Sequence, residues 1–392
     1  MKSLQIVGNH NYGGGGYLLL RWCRYLRSHG WQVDVLATDP FAVSQFKTIP
    51  RVSVIESIYI PREIAPVTDL IAFIQLLILL RRKNYDVVHT YNATSSVLGR
   101  IAARLAGVPV ILHHQAGWTV TDQSSPLERI AFTAIEYLAT LASTRGICVS
   151  HAIAQEARLR HIAPYSKLVT ICNGIDPQPY IAAINNGSGQ KLREELVIPR
   201  DHLVIGNAGR LSPQKDNQSL IRALNPLKSL LPEKPFILLF AGDGPDRERL
   251  EGLTQSLGLS QQVRFLGFIQ DVPAFLAAID IFISPSYREG MSISLLEAMA
   301  AARPIVTTLI LQNSELVEHE VTGLLVPPNS PERIAQAIAR FKREPGLALR
   351  CASAARQRVL ERYTIDRMFR ETLDLYLDLL GRYRPGILTQ QL

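Results

Sequence analysis

Short runs of aliphatic and β-branched residues alternate along the chain with segments in which apolar residues recur at helical spacing. In the first half, such runs predict strands at residues 3–7, 32–37, 52–55, 86–90, 108–112, 146–149 and 168–171. In the second half, they predict strands at residues 203–208, 236–241, 263–266, 281–284, 305–308 and 323–326. Strands separated by helices form parallel sheets covered by helices on both faces. The pattern therefore predicts an α/β protein with doubly wound parallel sheets.

This alternation is interrupted between residues 177 and 200, where the segments Pro-Gln-Pro-Tyr and Asn-Asn-Gly-Ser-Gly favour turns. A chain of 392 residues is also too long for one ordinary domain. We therefore predict an N-terminal domain at residues 1–180, a linker at 181–200, a second domain at 201–363 and a C-terminal helix at 364–392. Because doubly wound sheets bind ligands at the carboxyl ends of their strands, we expect the site in a cleft between the domains.

The net charge of +8 is concentrated in residues 1–180, where 17 Lys and Arg stand against 11 Asp and Glu. Such an excess suits an anionic membrane surface or a phosphorylated lipid, and ordinary solubility charge explains it equally well. Nucleic acid is not predicted as a partner, because the basic residues are not interleaved with aromatic ones. The most apolar stretch, residues 71–80, is about half the length of a membrane span, so we predict a buried helix first and an interfacial one second.

Cysteine spacing and the N-terminus bear on location. The four cysteines are scattered and form no Cys-x-x-Cys motif, so neither a zinc site nor a disulfide framework is predicted. The first residues lack the long apolar core and the cleavage site of a signal peptide. Together these features predict a cytoplasmic protein, placed at the inner face of the cell membrane if the basic excess binds lipid.

The segment Glu289-Gly290-Met291-Ser292 follows the predicted strand at 281–284 and opens a helix. Free amides at a helix start bind anions, so Gly290, Met291 and Ser292 can present N–H groups to a phosphate, with Ser292 as the N-cap. Glu289 lies in the loop before the helix, and Glu297 lies roughly a turn and a half into the helix, about 7 Å along its axis. Two carboxylates at that offset can each hold a pair of hydroxyl groups, although an isolated pair of this kind is more often a solvated surface feature.

The Glu-x7-Glu spacing and its surroundings resemble the retaining GT-B glycosyltransferases of family 4. The resemblance implies that Glu289 contacts the donor sugar and Glu297 the ribose hydroxyls. The segment 209–215, Gly-Arg-Leu-Ser-Pro-Gln-Lys, is similar to the family element whose Arg and Lys grip the diphosphate, which implies this role for Arg210 and Lys215. A guanidinium fork and a mobile ammonium both suit phosphate oxygens.

Other segments extend the resemblance over nearly the full chain. The run of four glycines at 13–16 does not have the Gly-x-Gly-x-x-Gly spacing of dinucleotide sites, and it resembles the family loop that closes over the donor phosphates. Gly14, Gly15 and Gly16 are thus expected to bind the donor. The segment at 263–268 resembles the part of the family that holds the nucleobase, so Phe268 and Ile269 are expected base contacts.

Histidines follow two predicted strands of the first domain. The family has a His near the reacting sugar, and His113 and His114 both occupy the matching region. We predict that His114 is the residue near the sugar, and we leave open which of the two matches the family histidine. His89 is expected either to face the acceptor side or to be buried.

Two departures from the family pattern concern the donor-sugar pocket. Ala302 stands where the family usually has Gly, and residues 311–315, Leu-Gln-Asn-Ser-Glu, replace the usual paired glycines and proline before the Glu. Side chains in this loop could reshape the pocket. Because of these two departures, the identity of the donor sugar and the presence of transferase activity both stay open.

The resemblance implies two Rossmann-like domains facing across a cleft, with the C-terminal helix crossing back to the first domain. It implies a retaining hexosyltransferase that moves a sugar from a nucleotide-diphosphate donor to a lipid-linked or saccharide acceptor, in cell-surface polysaccharide or glycolipid synthesis. The sequence has no Asp-x-Asp motif, so we expect catalysis without metal and without a cofactor. The alternatives are a nucleotide-sugar epimerase, a phosphorylase, or a nucleotide-sugar-binding pseudoenzyme; the glycine spacing disfavours a nicotinamide dehydrogenase.

Overall fold

The structure is a computed structural model that describes residues 1–8, 14–61, 64–120 and 125–383. The chain divides into two compact units. The first unit consists of Met1–Cys172 and Arg367–Leu392, and the second of Asn173–Asp366. Each unit is built around one sheet whose paired strands all run parallel. The predicted α/β class with two doubly wound parallel sheets is confirmed.

The sheet of the first unit has seven described strands. They are β1 (Lys2–Gly8), β2 (Gln32–Ala37), β3 (Val52–Ile55), β4 (Val87–Thr90), β5 (Val110–Gln115), β6 (Arg145–Cys148) and β7 (Leu168–Thr170). The helices between them are α1 (Gly14–Ser28), α2 (Pro40–Lys47), α3 (Pro66–Lys83), α4 (Ala93–Leu105), α5 (Pro126–Ala142) and α6 (His151–Leu159). The strand order is β3-β2-β1-β4-β5-β6-β7, so the direction of winding reverses between β1 and β4.

The middle of this sheet is buried on both faces, as parallel strands covered by two helical layers must be. Leu4 and Ile6 of β1 are fully buried, and so is Val88 of β4. The α3 and α4 helices supply the apolar side chains that cover one face, with Leu76 and Ala102 among those that are fully buried.

The second unit begins with the helices α7 (Gln178–Asn185) and α8 (Ser188–Glu195) and then repeats the strand–helix pattern. Its strands are β8 (Leu203–Ala208), β9 (Phe236–Ala241), β10 (Val263–Phe265), β11 (Ile281–Ser284), β12 (Ile305–Thr308) and β13 (Leu324–Val326). Its further helices are α9 (Asn217–Leu230), α10 (Arg247–Ser256), α11 (Val272–Ala278), α12 (Ile293–Ala300), α13 (Leu311–Leu316), α14 (Pro331–Arg343) and α15 (Pro345–Arg362). The order β10-β9-β8-β11-β12-β13 reverses between β8 and β11.

The interpretation of residues 181–200 as a linker is wrong, because most of this segment is helical and packed. The two turn-forming residues Asn186 and Gly187 only separate α7 from α8. Arg193 of α8 donates to Asp280 at 2.7 Å and to the carbonyl of Ala278 at 2.6 Å. Gly189 lies so close to α11 that an added Cβ would meet the backbone of Ala277 at 2.5 Å. These contacts fix the segment against the second unit.

The last helix, α16 (Ile365–Tyr383), groups from Arg367 onward with the first unit. Its aromatic residues Phe369 and Tyr376 pack against Trp22 of α1, with ring centroids 5.4 Å and 5.5 Å away. Both side chains are buried. The helix is thus held by an aromatic cluster on the face of the sheet that carries α1.

Candidate functional site

Three loops at the carboxyl edge of the second sheet are fastened to one another through their backbones. After β8, the Gly209 amide donates to the carbonyl of Ala241 at 2.9 Å and the Leu211 amide to that of Asp243 at 3.0 Å. The Gly242 amide donates to the carbonyl of Gly267 at 2.7 Å. This close approach requires glycine, because a Cβ on Gly242 would lie 1.9 Å from the oxygen of Gly209.

The loop after β11 joins this arrangement and brings two predicted site residues together. The Tyr287 amide donates to the carbonyl of Gln214 at 3.1 Å. The Lys215 ammonium then lies 2.6 Å from Oε1 of Glu289, whose side chain is only 8% exposed. Lys215 follows β8 and Glu289 follows β11, so the pair stands where the sheet reverses direction. Doubly wound folds bind their ligands at this switch point.

The start of α12 has the predicted capping geometry. Ser292 is extended, and its hydroxyl accepts a hydrogen bond from the amide of Leu295 at 3.4 Å. Met291 and Ser292 are buried, which fixes the turn that leads into the helix. The helix start therefore lies directly beside Glu289.

Glu297 lies in the second turn of α12 and is held by a residue that the sequence analysis did not identify. The Tyr180 hydroxyl donates to Oε1 of Glu297 at 2.7 Å. Burial raises the pKa of Glu297 to about 7, while the hydrogen bond from Tyr180 favours the ionised form and limits that rise. Tyr180 belongs to the Pro-Gln-Pro-Tyr segment, whose turn character drew attention to its backbone rather than to its hydroxyl.

The remaining expected donor contacts of the second unit lie at the same edge of the sheet. Arg210 follows β8 and has an exposed side chain. Phe268 follows β10 and is 68% exposed, while Ile269 is half-buried. The second unit thus places Arg210, Lys215, Phe268, Glu289 and the start of α12 after three strands of one sheet, β8, β10 and β11.

The glycine run of the first unit forms the start of a helix. Gly14, Gly15 and Gly16 are the first residues of α1, and a Cβ on Gly15 would meet nothing within 4 Å. Gly13 lies outside the described residues. The three glycines follow β1, which is one of the two strands between which the first sheet reverses direction.

His113 and His114 point to opposite sides of β5 and have different surroundings. His113 is buried, and its Nδ1 is 2.6 Å from the hydroxyl of Ser96, while its Nε2 contacts the side chain of Gln115. His114 is half-buried, with its ring 5.4 Å from that of Tyr91. Burial lowers the pKa of His114 to about 4, so its ring is neutral at pH 7. Hydrogen-bonding partners within the first unit thus surround the ring of His113, and contact of His114 with a ligand stays a prediction.

His89 is buried, as one of the two sequence interpretations expected. Its Nδ1 lies 2.8 Å from the hydroxyl of Tyr376 and 3.1 Å from that of Tyr91. Burial, together with the nearby His114, holds the pKa of His89 well below its usual range. The network ties α16 to the end of β4.

Ala302, which stands where the family usually has Gly, adopts a backbone conformation that favours glycine. Ala302 has φ of 46°, in the left-handed region that favours glycine, and follows the C-cap of α12. Its amide donates to Met299 at 3.0 Å, and the Arg303 amide donates to Ala298 at 3.0 Å, as in a helix end built for glycine.

Ala302→Gly is therefore expected to raise the free energy of unfolding by about 0.5–1 kcal/mol. Relief of the left-handed strain is worth about 1–2 kcal/mol, and the added freedom of the unfolded chain offsets part of it. Urea denaturation measures the difference. Ala300→Gly, inside the same helix, is the control and should lower stability by about 1 kcal/mol; a loss of stability in Ala302→Gly would contradict the assignment.

The second departure, residues 311–315, forms most of α13. Asn313 is buried, and its amide nitrogen donates to Thr307 Oγ1 at 2.9 Å and to Thr308 Oγ1 at 3.0 Å. Leu311 is 47% exposed at the start of this helix. The segment is therefore anchored to the end of β12 through Asn313.

Comparison with known proteins decides the family. The model of glycosyl transferases group 1 matches residues 188–358, and that of Glycosyltransferase Family 4 matches residues 12–179. The UDP-Gal:alpha-D-GlcNAc-diphosphoundecaprenol alpha-1,3-galactosyltransferase of Escherichia coli is 30% identical over 324 residues, which cover 81% of this chain and 82% of that protein. The chain belongs to glycosyltransferase family 4. A D-inositol 3-phosphate glycosyltransferase of Saccharomonospora viridis is a more distant relative of this family 4 protein. The two sequences are 28% identical over a region that covers 76% of the present chain and 72% of the relative.

Solved structures agree on the fold. Anabaena HepE in complex with UDP-glucose superposes with a TM-score of 0.81 and 23% identity, over 95% of this chain and 99% of that one. WaaG, a glycosyltransferase involved in lipopolysaccharide biosynthesis, superposes with a TM-score of 0.77 and 17% sequence identity. The superposition covers 96% of this chain and 99% of WaaG. The predicted GT-B architecture and the predicted family are confirmed.

Proposed function

We propose that this glycosyltransferase moves a hexose from a nucleotide-diphosphate donor to a lipid-linked or saccharide acceptor, with retention of configuration, in the synthesis of a cell-surface polysaccharide or glycolipid. The observation that carries the proposal is the Lys215–Glu289 pair at the switch point of the second sheet. A cation suited to a diphosphate and a carboxylate suited to sugar hydroxyls stand there side by side. We further propose that the protein works in the cytoplasm, at the inner face of the membrane.

The proposed chemistry is stabilisation of a departing nucleotide diphosphate. Arg210, Lys215 and the amides at the start of α12 would neutralise the charge that develops on the leaving phosphate, each well-placed donor contributing about 3–4 kcal/mol. Donor phosphate would draw Lys215 away from Glu289, which frees that carboxylate for the sugar. The sugar then passes through an oxocarbenium-like state, and the acceptor attacks the same face of the sugar from which the diphosphate leaves. No step uses a metal or a cofactor.

Release of nucleoside diphosphate from a panel of UDP-, GDP- and ADP-sugars tests this proposal. UDP-galactose comes first because the E. coli relative is named for that donor, and UDP-glucose comes next because HepE was solved with it. Acceptors are a polyprenyl-diphosphate-linked sugar and soluble saccharides. We expect product formation with one donor and an acceptor. Donor conversion to an epimer without acceptor would contradict the proposal.

A nucleotide-sugar-binding pseudoenzyme is the second candidate, because α13 with its exposed Leu311 replaces the glycine-rich segment usual for the family. This candidate predicts donor binding by calorimetry without turnover on any acceptor in the panel. Turnover above the rate of the Arg210→Ala variant excludes it.

Donor affinity is expected to depend on pH through Glu297. The ionised carboxylate accepts hydroxyl hydrogen bonds better than the acid, so donor binding should weaken as the pH falls through about 7, the pKa of Glu297. Tyr180→Phe removes the hydrogen bond that favours ionisation, so the midpoint of the profile should move upward by about one pH unit. Calorimetric titrations of donor across the pH range measure both effects. An identical profile in wild type and Tyr180→Phe would contradict this role of Glu297.

A further inference from the structure

Helix α5 has an unusual distribution of side chains. A helix that packs on a sheet ordinarily buries its apolar stripe and exposes its polar one. The buried residues of α5 are instead Glu136, Ala139 and Thr140. Its outward side carries large apolar residues that are at least two-fifths exposed: Leu127, Ile130, Ile135, Tyr137, Leu138 and Leu141.

The polar residues that α5 buries are the partners of a buried charge. Arg100 of α4 is 1% exposed, and its guanidinium donates to Glu136 at 3.0 Å and to the Thr140 hydroxyl at 3.4 Å. A buried charge must be paired in this way. Because α5 supplies the partners for Arg100, its apolar residues are left on the outside.

Helix α3 presents a second apolar face on the same layer. It buries Ala72, Leu76 and Leu80, and its outward side is formed by Val67, Leu70, Ile71, Ile74 and Ile78. The stretch 71–80, expected first as a buried helix, is therefore only half covered. Helix α4 packs between α3 and α5, so the three helices form one layer over the sheet. We call the outward side of this layer the α3–α5 surface.

Basic side chains are gathered at one end of the α3–α5 surface. The three helices connect consecutive parallel strands and so run in the same direction, which brings their C-terminal ends to one edge. Arg81, Arg82 and Lys83 end α3, and Arg104 ends α4.

The end of α5 adds two more basic residues. Lys167 donates to the carbonyl of Leu141 at 2.6 Å, and burial followed by the charges of Arg104 and Arg145 lowers the pKa of Lys167. Arg104, Arg145 and Lys167 therefore lie together. The first-turn acids of α3 and α5, Asp69 and Glu128, stand at the opposite end of the layer.

We propose that the α3–α5 surface binds an anionic lipid bilayer. Apolar side chains on a helix that lies in the interface enter the boundary between headgroups and acyl chains, and basic residues at the rim attract anionic headgroups. A second copy of the chain would bring the same basic excess to the interface, whereas anionic lipid neutralises it. No helix among the described residues is both long and apolar enough to cross a bilayer.

The direction of the helices also bears on the acceptor. Their N-terminal ends lie at the carboxyl edge of the sheet, where Tyr91 and His114 are found. The apolar face thus extends toward these residues, which suits an acceptor whose lipid stays in the bilayer. Only this last step rests on the proposed function; binding to the bilayer does not.

Flotation with lipid vesicles tests the surface, without donor or acceptor present. The full chain is expected to float with vesicles of phosphatidylcholine and phosphatidylglycerol, and at least tenfold less with phosphatidylcholine alone. Ile74→Glu combined with Ile130→Glu should lower binding on the order of 100-fold, because two apolar anchors are replaced by charges. Arg81→Gln and Arg82→Gln together should lower it roughly 30-fold at low salt, at about 1 kcal/mol per basic residue.

The matched control carries Val197→Glu and Leu349→Glu, which are 79% and 70% exposed but belong to the second unit. It should bind like the wild type, and thermal melting checks that every variant is folded. Wild type that stays unbound, or Glu variants that float as well as wild type, overturn the proposal. A dimer in sedimentation that the Glu variants dissociate, without vesicle binding, would assign the surface to a second copy instead. Turnover on a soluble acceptor, measured separately, is expected to survive both sets of substitutions.

Discussion

Replacing Arg210 by alanine is expected to lower kcat about 10²–10³-fold, the usual cost of removing one donor that stabilises charge on a leaving group. Arg210 follows β8, at the edge of the sheet that carries Lys215 and Glu289. A guanidinium can hold two phosphate oxygens at once, so Arg210→Lys should recover only part of the rate. Steady-state release of nucleoside diphosphate at saturating donor measures the effect.

The control for this substitution is Arg222→Ala. Arg222 is an exposed cation on α9 of the same unit, and it lies away from the loops that carry the candidate site. Its loss should leave kcat unchanged. Equal rates for Arg210→Ala and wild type would show that Arg210 does not act on the leaving group.

Gly242→Ala is expected to lower the free energy of unfolding by about 3–5 kcal/mol, an exceptionally large effect for one methyl group. Its φ of 141° is accessible almost only to glycine, and the added Cβ would lie 1.9 Å from the carbonyl oxygen of Gly209. The loops after β8 and β9 would have to separate, so donor binding should be lost as well. Urea denaturation followed by circular dichroism measures the stability.

Gly252→Ala is the matched control for this prediction. Gly252 lies inside α10, and a Cβ there would meet nothing within 4 Å. The substitution should raise stability by about 0.5–1 kcal/mol, because alanine is the better helix former. If both variants were equally stable, the tight approach of Gly242 to Gly209 would not be a real constraint on the fold.

The sequence was sufficient for the fold because its signals are local and repeated. The predicted strands at 203–208, 236–241 and 281–284 match β8, β9 and β11, since each is a short, mostly apolar run between helical segments. The turn-forming residues at 181–200 led to the wrong prediction of a linker between domains, because they connect the two packed helices α7 and α8.

The parts of the site that escaped prediction depend on contacts between distant segments. The bond from Tyr180 to Glu297 joins residues 117 positions apart, and no local pattern marks it. The inverted side chains of α5 follow from the buried charge of Arg100, which is also invisible in a helical pattern. The different surroundings of His113 and His114 are visible only in the folded first unit, where His113 contacts the side chains of Ser96 and Gln115. The roles of the predicted donor contacts stay predictions.

The central claim is that the loops after β8 and β11 hold a nucleotide diphosphate. Calorimetric titration with the donor found in the sugar-nucleotide panel, comparing wild type with the Arg210→Ala, Lys215→Ala double variant, tests it most directly. The double variant is expected to bind about 10²–10⁴-fold more weakly, because each of the two lost charged hydrogen bonds costs about 1.5–3 kcal/mol. Unchanged affinity in a folded double variant would contradict it.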